Sequence, residues 1–212
     1  MNETASNQPR RSLLPLWIMV AIFALPVIAA WFFYFYPEYL PTGRSNKGEL
    51  IDPPRPLAEL QLQQLDGQEY SPEGLEGNWT MVAVTAGECD AQCQSQVHDM
   101  QQVRLALAEN RYRLERVLIL EQPAADAGAE SIAEQYAGTR VLLADGEQAQ
   151  TLERLFAVQD APIAGMRYLV DPFGNLMMQY SPEAPPQDML HDLEKLFKAS
   201  KTWIKGAQYG HR

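Results

Sequence analysis

The chain has two cysteines, and only three residues separate them, in Gly87-Glu88-Cys89-Asp90-Ala91-Gln92-Cys93. They follow an apolar run, Trp79 to Val84, and open a helix-like stretch from Gln94 to Glu109. A strand that delivers two thiols to a helix start places them where backbone N–H groups and the helix dipole favour thiolate. Such a pair either cycles between dithiol and disulfide or binds a soft metal. A crosslink closing so short a loop gains little by chain entropy, which weakens the reading of a mere structural staple. Cys89 is expected to be the more exposed partner and Cys93 the more buried. Glu88 and Asp90 oppose thiolate formation, while Asp90 also suits a cap on the helix start.

The elements that must position this pair follow from apolar spacing. Leu60, Leu62 and Leu65 alternate with glutamines as a half-buried strand, and Asp66-Gly67 is a hairpin turn signal returning through Glu69-Tyr70. Ser71-Pro72 starts a short helical turn. Trp79 to Thr85 reads as a central strand. Val97, Met100, Val103 and Leu107 give the next helix one apolar face. Leu114 to Leu120 is a strand, Ala129 to Tyr136 a helix, Arg140 to Leu143 a strand, and Gln148 to Val158 a helix. A second hairpin joins Arg167–Val170 to Leu176–Tyr180 through Asp171-Pro172-Phe173-Gly174, and Pro186 to Trp203 closes as an amphipathic helix. This order predicts an α/β, thioredoxin-like domain with a mixed central sheet.

Before that domain, Ser12 to Pro37 carries no charged residue and ends in the aromatic cluster Trp31 to Tyr36. The segment exceeds the roughly 20 residues needed to cross a bilayer, and aromatic clusters settle at the interface. A cleavage site at Val27-Ile28-Ala29 is the competing reading, but the apolar run continues past it. The expected organisation is a short cytoplasmic tail (1–12), one transmembrane helix (13–36), a stalk (37–56), the folded domain (57–205) and a tail (206–212). The arginines at 10 and 11 favour an inside N-terminus, although Arg44, Lys47 and Arg55 leave the charge count undecided. The domain then lies on the periplasmic side of an inner (cytoplasmic) membrane, where disulfide chemistry is natural. A formal net charge of −10 argues against nucleic acid as a partner.

The run Leu65-Asp66-Gly67-Gln68-Glu69-Tyr70-Ser71, then Leu75-Glu76-Gly77-Asn78-Trp79, the strand and the C-x-x-x-C resembles the Sco/SenC family. Tyr168-Leu169-Val170-Asp171-Pro172-Phe173-Gly174-Asn175 is similar to that family's terminal hairpin. The resemblance implies a membrane-anchored, thioredoxin-fold factor in cytochrome c oxidase assembly. Such a factor delivers copper to the binuclear site of the oxidase or keeps that site's cysteines reduced. It makes Cys89 and Cys93 the reactive thiols of a thiol-disulfide oxidoreductase, or ligands of copper. The implied partners are the oxidase subunit carrying the copper site, or another copper chaperone.

The sequence departs from the family where a histidine precedes the terminal hairpin. Asp160-Ala161-Pro162-Ile163-Ala164-Gly165-Met166-Arg167 holds none, and Ile163 stands about where the ligand falls. The prolines common after each cysteine are replaced by Asp90 and Gln94. Met166 is a soft side chain near the missing position and is weighed as a copper ligand against a packing role. His98 lies about 140° round the helix from Cys93 and about 180° from Cys89, facing away. His191 and His211 are expected to be incidental, and Pro162 an ordinary loop proline. The expected function is therefore thiol–disulfide exchange at the oxidase copper site. A copper carrier with a non-histidine or partner-supplied third ligand, and a scaffold without redox chemistry, are the alternatives.

Overall fold

The computed structural model describes residues 13–36, 39, 45–121, 127–158 and 161–200. It divides into two units, residues 1–45 and 46–212. The first contains the helix α1, Leu14–Phe35, whose 22 residues are long and apolar enough to cross a membrane. Pro26 is inside it, and its side chains include no buried ones. The expected tail 1–12 lies outside the described residues.

The second unit is an eight-stranded mixed sheet with helices on both faces. Its strands are β1 Glu49–Pro56, β2 Leu62–Gln64, β3 Glu69–Tyr70, β4 Trp79–Ala86, β5 Leu114–Glu121, β6 Thr139–Ala144, β7 Arg167–Val170 and β8 Asn175–Tyr180. Their order across the sheet is β1-β8-β7-β4-β5-β6-β2-β3. β4 pairs in parallel with β5, and β5 with β6. β7 pairs antiparallel with both β4 and β8. The helices are α2 Ala91–Ala106, α3 Ala127–Gln135, α4 Gly146–Phe156 and α5 Pro186–Ala199.

Strand alternation divides the core in two. Trp79, Met81 and Ala83 of β4 and Leu118 and Leu120 of β5 pack with α2, α3 and α5. Val82, Val84, Val117 and Ile119 face the other way, towards Leu152, Leu155 and Phe156 of α4 and the segment from Leu57 to Leu62. Cys93, Val97, Met100 and Val103 of α2 are all buried, as the periodicity predicts. Burying each such aliphatic side chain contributes about 1.5–3 kcal/mol.

The two expected hairpins form. In the first, Gly67 takes φ +80° and Gln64 N–H donates to Gln68 O at 2.8 Å. In the second, Asp171 Oδ1 accepts from the N–H groups of Phe173 and Asn175, each at 2.9 Å. Ser71 precedes a 3-10 turn, Pro72–Leu75, but its hydroxyl bonds the Glu73 carboxylate instead of capping an N–H.

Two boundaries differ from the sequence reading. The segment 37–56 reads as a stalk because it is rich in proline, yet Glu49–Pro56 is the strand β1, antiparallel to β8. Proline lacks an N–H donor, but an edge strand needs donors on one side only. The folded unit therefore starts near Asn46 rather than at 57. The helix α2 begins three residues earlier than its apolar periodicity suggests, because Asp90 caps it, and a 3-10 segment, Ala108–Arg113, replaces its expected end. The expected end of the closing helix at Trp203 and the tail 206–212 lie outside the described residues.

Candidate redox site

β4 ends at Ala86, and the chain turns through Gly87 with φ +81°, whose N–H donates to Glu121 O of β5 at 3.2 Å. Cys89 lies before the helix, Asp90 is its N-cap, and Cys93 occupies the first turn. Asp90 Oδ1 accepts from Cys93 N–H at 2.9 Å, and Gln94 Nε2 donates to Cys89 O at 3.3 Å. This capped turn brings the Cys89 and Cys93 Cα atoms to 5.1 Å, and the two sulfurs are bonded. Cys93 is 2 % exposed and belongs to the core under α2, whereas Cys89 is partly exposed at its edge. Attack from outside therefore meets Cys89 first, and Cys93 is the protected partner.

The loop before β7 flanks this turn. Gly165 N–H donates to Val84 O at 2.9 Å, and Gln96 Nε2 of α2 donates to Gly165 O. A Cβ on Gly165 would stand 3.1 Å from Gln92 Nε2 and 3.6 Å from Pro182 Cγ, so glycine permits the close approach of loop and helix. Among the described residues the cis peptide bond is Asp52–Pro53, and the bond before Pro162 is trans.

The site contains a positioning residue that the sequence reading missed. Arg167, the first residue of β7, is 1 % exposed. Its guanidinium lies 3.6 Å from Asp99 Oδ2 of α2 and donates to Ser181 O at 3.2 Å and to Ala184 O. Burial lowers its pKa, and the carboxylate of Asp99 opposes that shift. Arg167 thereby joins the loop 163–166, the helix α2 and the segment after β8. Its signal in the sequence was one charged residue heading an otherwise apolar strand.

The residues weighed as further ligands are not brought to the cysteines. Ile163 is buried in the core on the opposite face of the sheet, and Met166 packs against that same core. Met166 thus takes the packing role against which its ligand role was weighed, on the α4 side of the sheet. His98 is exposed, edge-on to Tyr136 with ring centroids 6.4 Å apart, and His191 is exposed on α5. Asp160 and His211 lie outside the described residues. Among the described residues no group of three or more His, Cys, Asp or Glu side chains could hold a metal ion. No third His, Cys, Asp or Glu among the described residues joins the two cysteines to complete a three-ligand copper site.

The fold has solved counterparts. Yeast Sco1 with copper bound is 17% identical with a TM-score of 0.55, over 66% of this chain and 90% of that one. BsSco, a member of the Sco family of cytochrome c oxidase assembly proteins with a disulfide switch, is 19% identical with a TM-score of 0.51, over 69% and 96%. The thioredoxin domain of a thiol-disulfide oxidoreductase from Bacteroides vulgatus is 14% identical with a TM-score of 0.50, over 65% and 91%. No curated protein matches the chain by sequence. The model of the family described as "Transmembrane-like, thioredoxin-like, C-terminal domain" matches residues 79–200. That span, from the strand before the cysteines to the end of α5, covers more than half of the chain, which therefore belongs to this transmembrane-like, thioredoxin-like family.

Proposed function

We propose that the protein is a membrane-anchored thiol–disulfide oxidoreductase that assists cytochrome c oxidase assembly by keeping the cysteines of the oxidase copper site reduced. The observation that carries this reading is the partly exposed Cys89 bonded to the buried Cys93 at a capped helix start. In the reduced chain, the Cys89 thiolate attacks a disulfide of the partner and displaces one partner thiolate, giving a mixed disulfide. The Cys93 thiolate then attacks Cys89 Sγ and releases the second partner thiolate. Two electrons pass to the partner, and the chain is left with its Cys89–Cys93 disulfide. A dithiol reductant outside the cytoplasm must reset the pair. The helix α1 is the anchor in this reading, with the domain on the periplasmic side, and the resemblance to Sco/SenC proteins supplies the oxidase subunit as partner.

A copper carrier is the second reading, supported by the Sco neighbour solved with copper. It requires a third ligand from another protein, or copper held by the two cysteines alone.

Cuprous-ion competition and redox equilibration with glutathione separate the two. The exchange reading expects a reversible two-electron potential and a partner trapped as a mixed disulfide by Cys93→Ser but not by Cys89→Ser. Tight copper retention lost on either substitution, without a trapped partner, would replace it with the carrier. Full oxidase assembly in cells carrying both serines would sink both readings.

A further inference from the structure

β4 and β5 run in parallel, with Trp79 opposite Leu114 and Ala86 opposite Glu121. The cysteines follow Ala86, so the Leu114 end of the sheet is a strand length away, roughly 25 Å. At that end a cavity of about 410 Å³ is lined by Arg104, Tyr112, Arg116, Gly138 and Thr139, among others. Arg116 is 2 % exposed. Its Nη2 donates to Ala137 O at 2.8 Å, but Nε and Nη1 are buried without a partner among the described residues. The Thr139 hydroxyl is buried beside it in the same condition. Arg104 stands at the wall, held by its Nε–H to Leu114 O at 2.9 Å.

Among the described residues no carboxylate balances Arg116. Glu115 also lines the cavity, but strand alternation turns its side chain to the other face. There it accepts from Arg140 Nη1 at 3.2 Å and Asn78 Nδ2 at 3.1 Å. The charge acting on Arg116 is that of Arg104, another cation, which lowers its pKa after burial has done so. A buried cation is ordinarily paired, because its desolvation is otherwise uncompensated. Here two cations and a hydroxyl converge on a cavity within an acidic protein.

We propose that this cavity is a binding site for a phosphate-class oxyanion. Nη1 of the Arg116 guanidinium, left without a partner among the described residues, offers one charge-assisted donor to an oxyanion oxygen. Thr139 Oγ1 and Arg104 then serve further oxygens, which a phosphate has and a carboxylate lacks. The chemistry is shared by free phosphate and by a phospholipid headgroup.

Inorganic phosphate titrated calorimetrically into the full chain in nonionic-detergent micelles, in chloride buffer, tests the site. Saturable one-to-one binding is expected, with a raised unfolding temperature. Arg104→Gln and Thr139→Val should each weaken it by about ten-fold, the loss of one charge-assisted or buried hydrogen bond. Arg116→Met should abolish it, and should unfold at a higher temperature than the parent in phosphate-free buffer, the reverse of a merely structural arginine. Absence of saturable binding by the parent overturns the proposal, as does undiminished binding by both Arg104→Gln and Thr139→Val. A second arm uses dihexanoyl phosphatidic acid below its micellar concentration. Binding about ten-fold tighter than inorganic phosphate, and dependent on Arg104, assigns the headgroup, and equal or weaker binding assigns free phosphate.

Discussion

At the residue scale, the cysteine pair was legible from types and spacing, and its immediate control lies in Asp90. This carboxylate accepts the Cys93 N–H and so fixes the helix start that draws the two thiols together. Its negative charge also opposes thiolate formation at Cys89, its neighbour in the chain. The two effects separate by substitution. Asp90→Ala should cost about 1 kcal/mol of stability in urea denaturation, the usual value of a lost cap. Asp90→Asn keeps a capping oxygen and should lose far less. In the reduced protein Asp90→Asn should raise the rate of Cys89 alkylation by iodoacetamide at neutral pH, because the opposing charge is gone. Equal alkylation rates in parent and Asp90→Asn would show that Asp90 acts through geometry alone. Arg167 heads β7 and Met166 packs, as the spacing favoured, but the surroundings of each were not legible. Both depend on which face of the sheet a turn presents, and Gly165 with φ +83° sets that facing through contacts made 69 residues away by Gln96.

At the element scale, helices and central strands were readable because their periodicity is local. The strand β1 was not, because its pairing with β8 joins residues some 130 apart and its prolines mimic a linker. What secures it is a buried carboxylate on α5. Asp192 Oδ2 accepts from Lys47 N–H at 2.9 Å, from Gly48 N–H at 2.8 Å and from the Tyr180 hydroxyl at 3.1 Å. Burial, and then Asp192, push the Tyr180 phenol far above its ordinary value, so that it remains a donor. Gly48 leaves no room for a side chain, since a Cβ would stand 2.6 Å from the Tyr180 ring. Asp192→Ala should destabilise the domain by about 2–4 kcal/mol, since it orphans several buried donors together. Hydrogen exchange should then accelerate across Glu49–Ile51 while β4 and β5 keep their protection. Uniform acceleration over the whole sheet would mean that β1 is not a separable unit.

At the scale of the whole molecule, the alternation of strands and helices was enough to give the fold class, and the first hairpin gave one edge of its sheet. The cationic cavity was invisible in the sequence, because Arg104, Arg116 and Thr139 meet only when α2, β5 and β6 assemble. The acidic balance of the chain has one local consequence at the other end of β5. Burial, and then Glu153, raise the Glu121 carboxyl above its ordinary value. A raised carboxyl binds its proton more tightly in the folded state, so its contribution is present below the ordinary 4.5 and lost as pH rises through the raised value. Urea midpoints of the parent should therefore show a fall across that window which Glu121→Gln lacks, leaving the variant the more stable at neutral pH. Identical pH profiles would remove Glu121 from the account. The sheet itself ends on one side in β1, with prolines at 53, 54 and 56, and on the other in β3, only two residues long. Neither border offers a long row of unpaired N–H groups to a passing strand. Copies of the domain can thus collide edge to edge without zipping into fibrils, and the prolines that disguised β1 as a tether serve as a guard against aggregation.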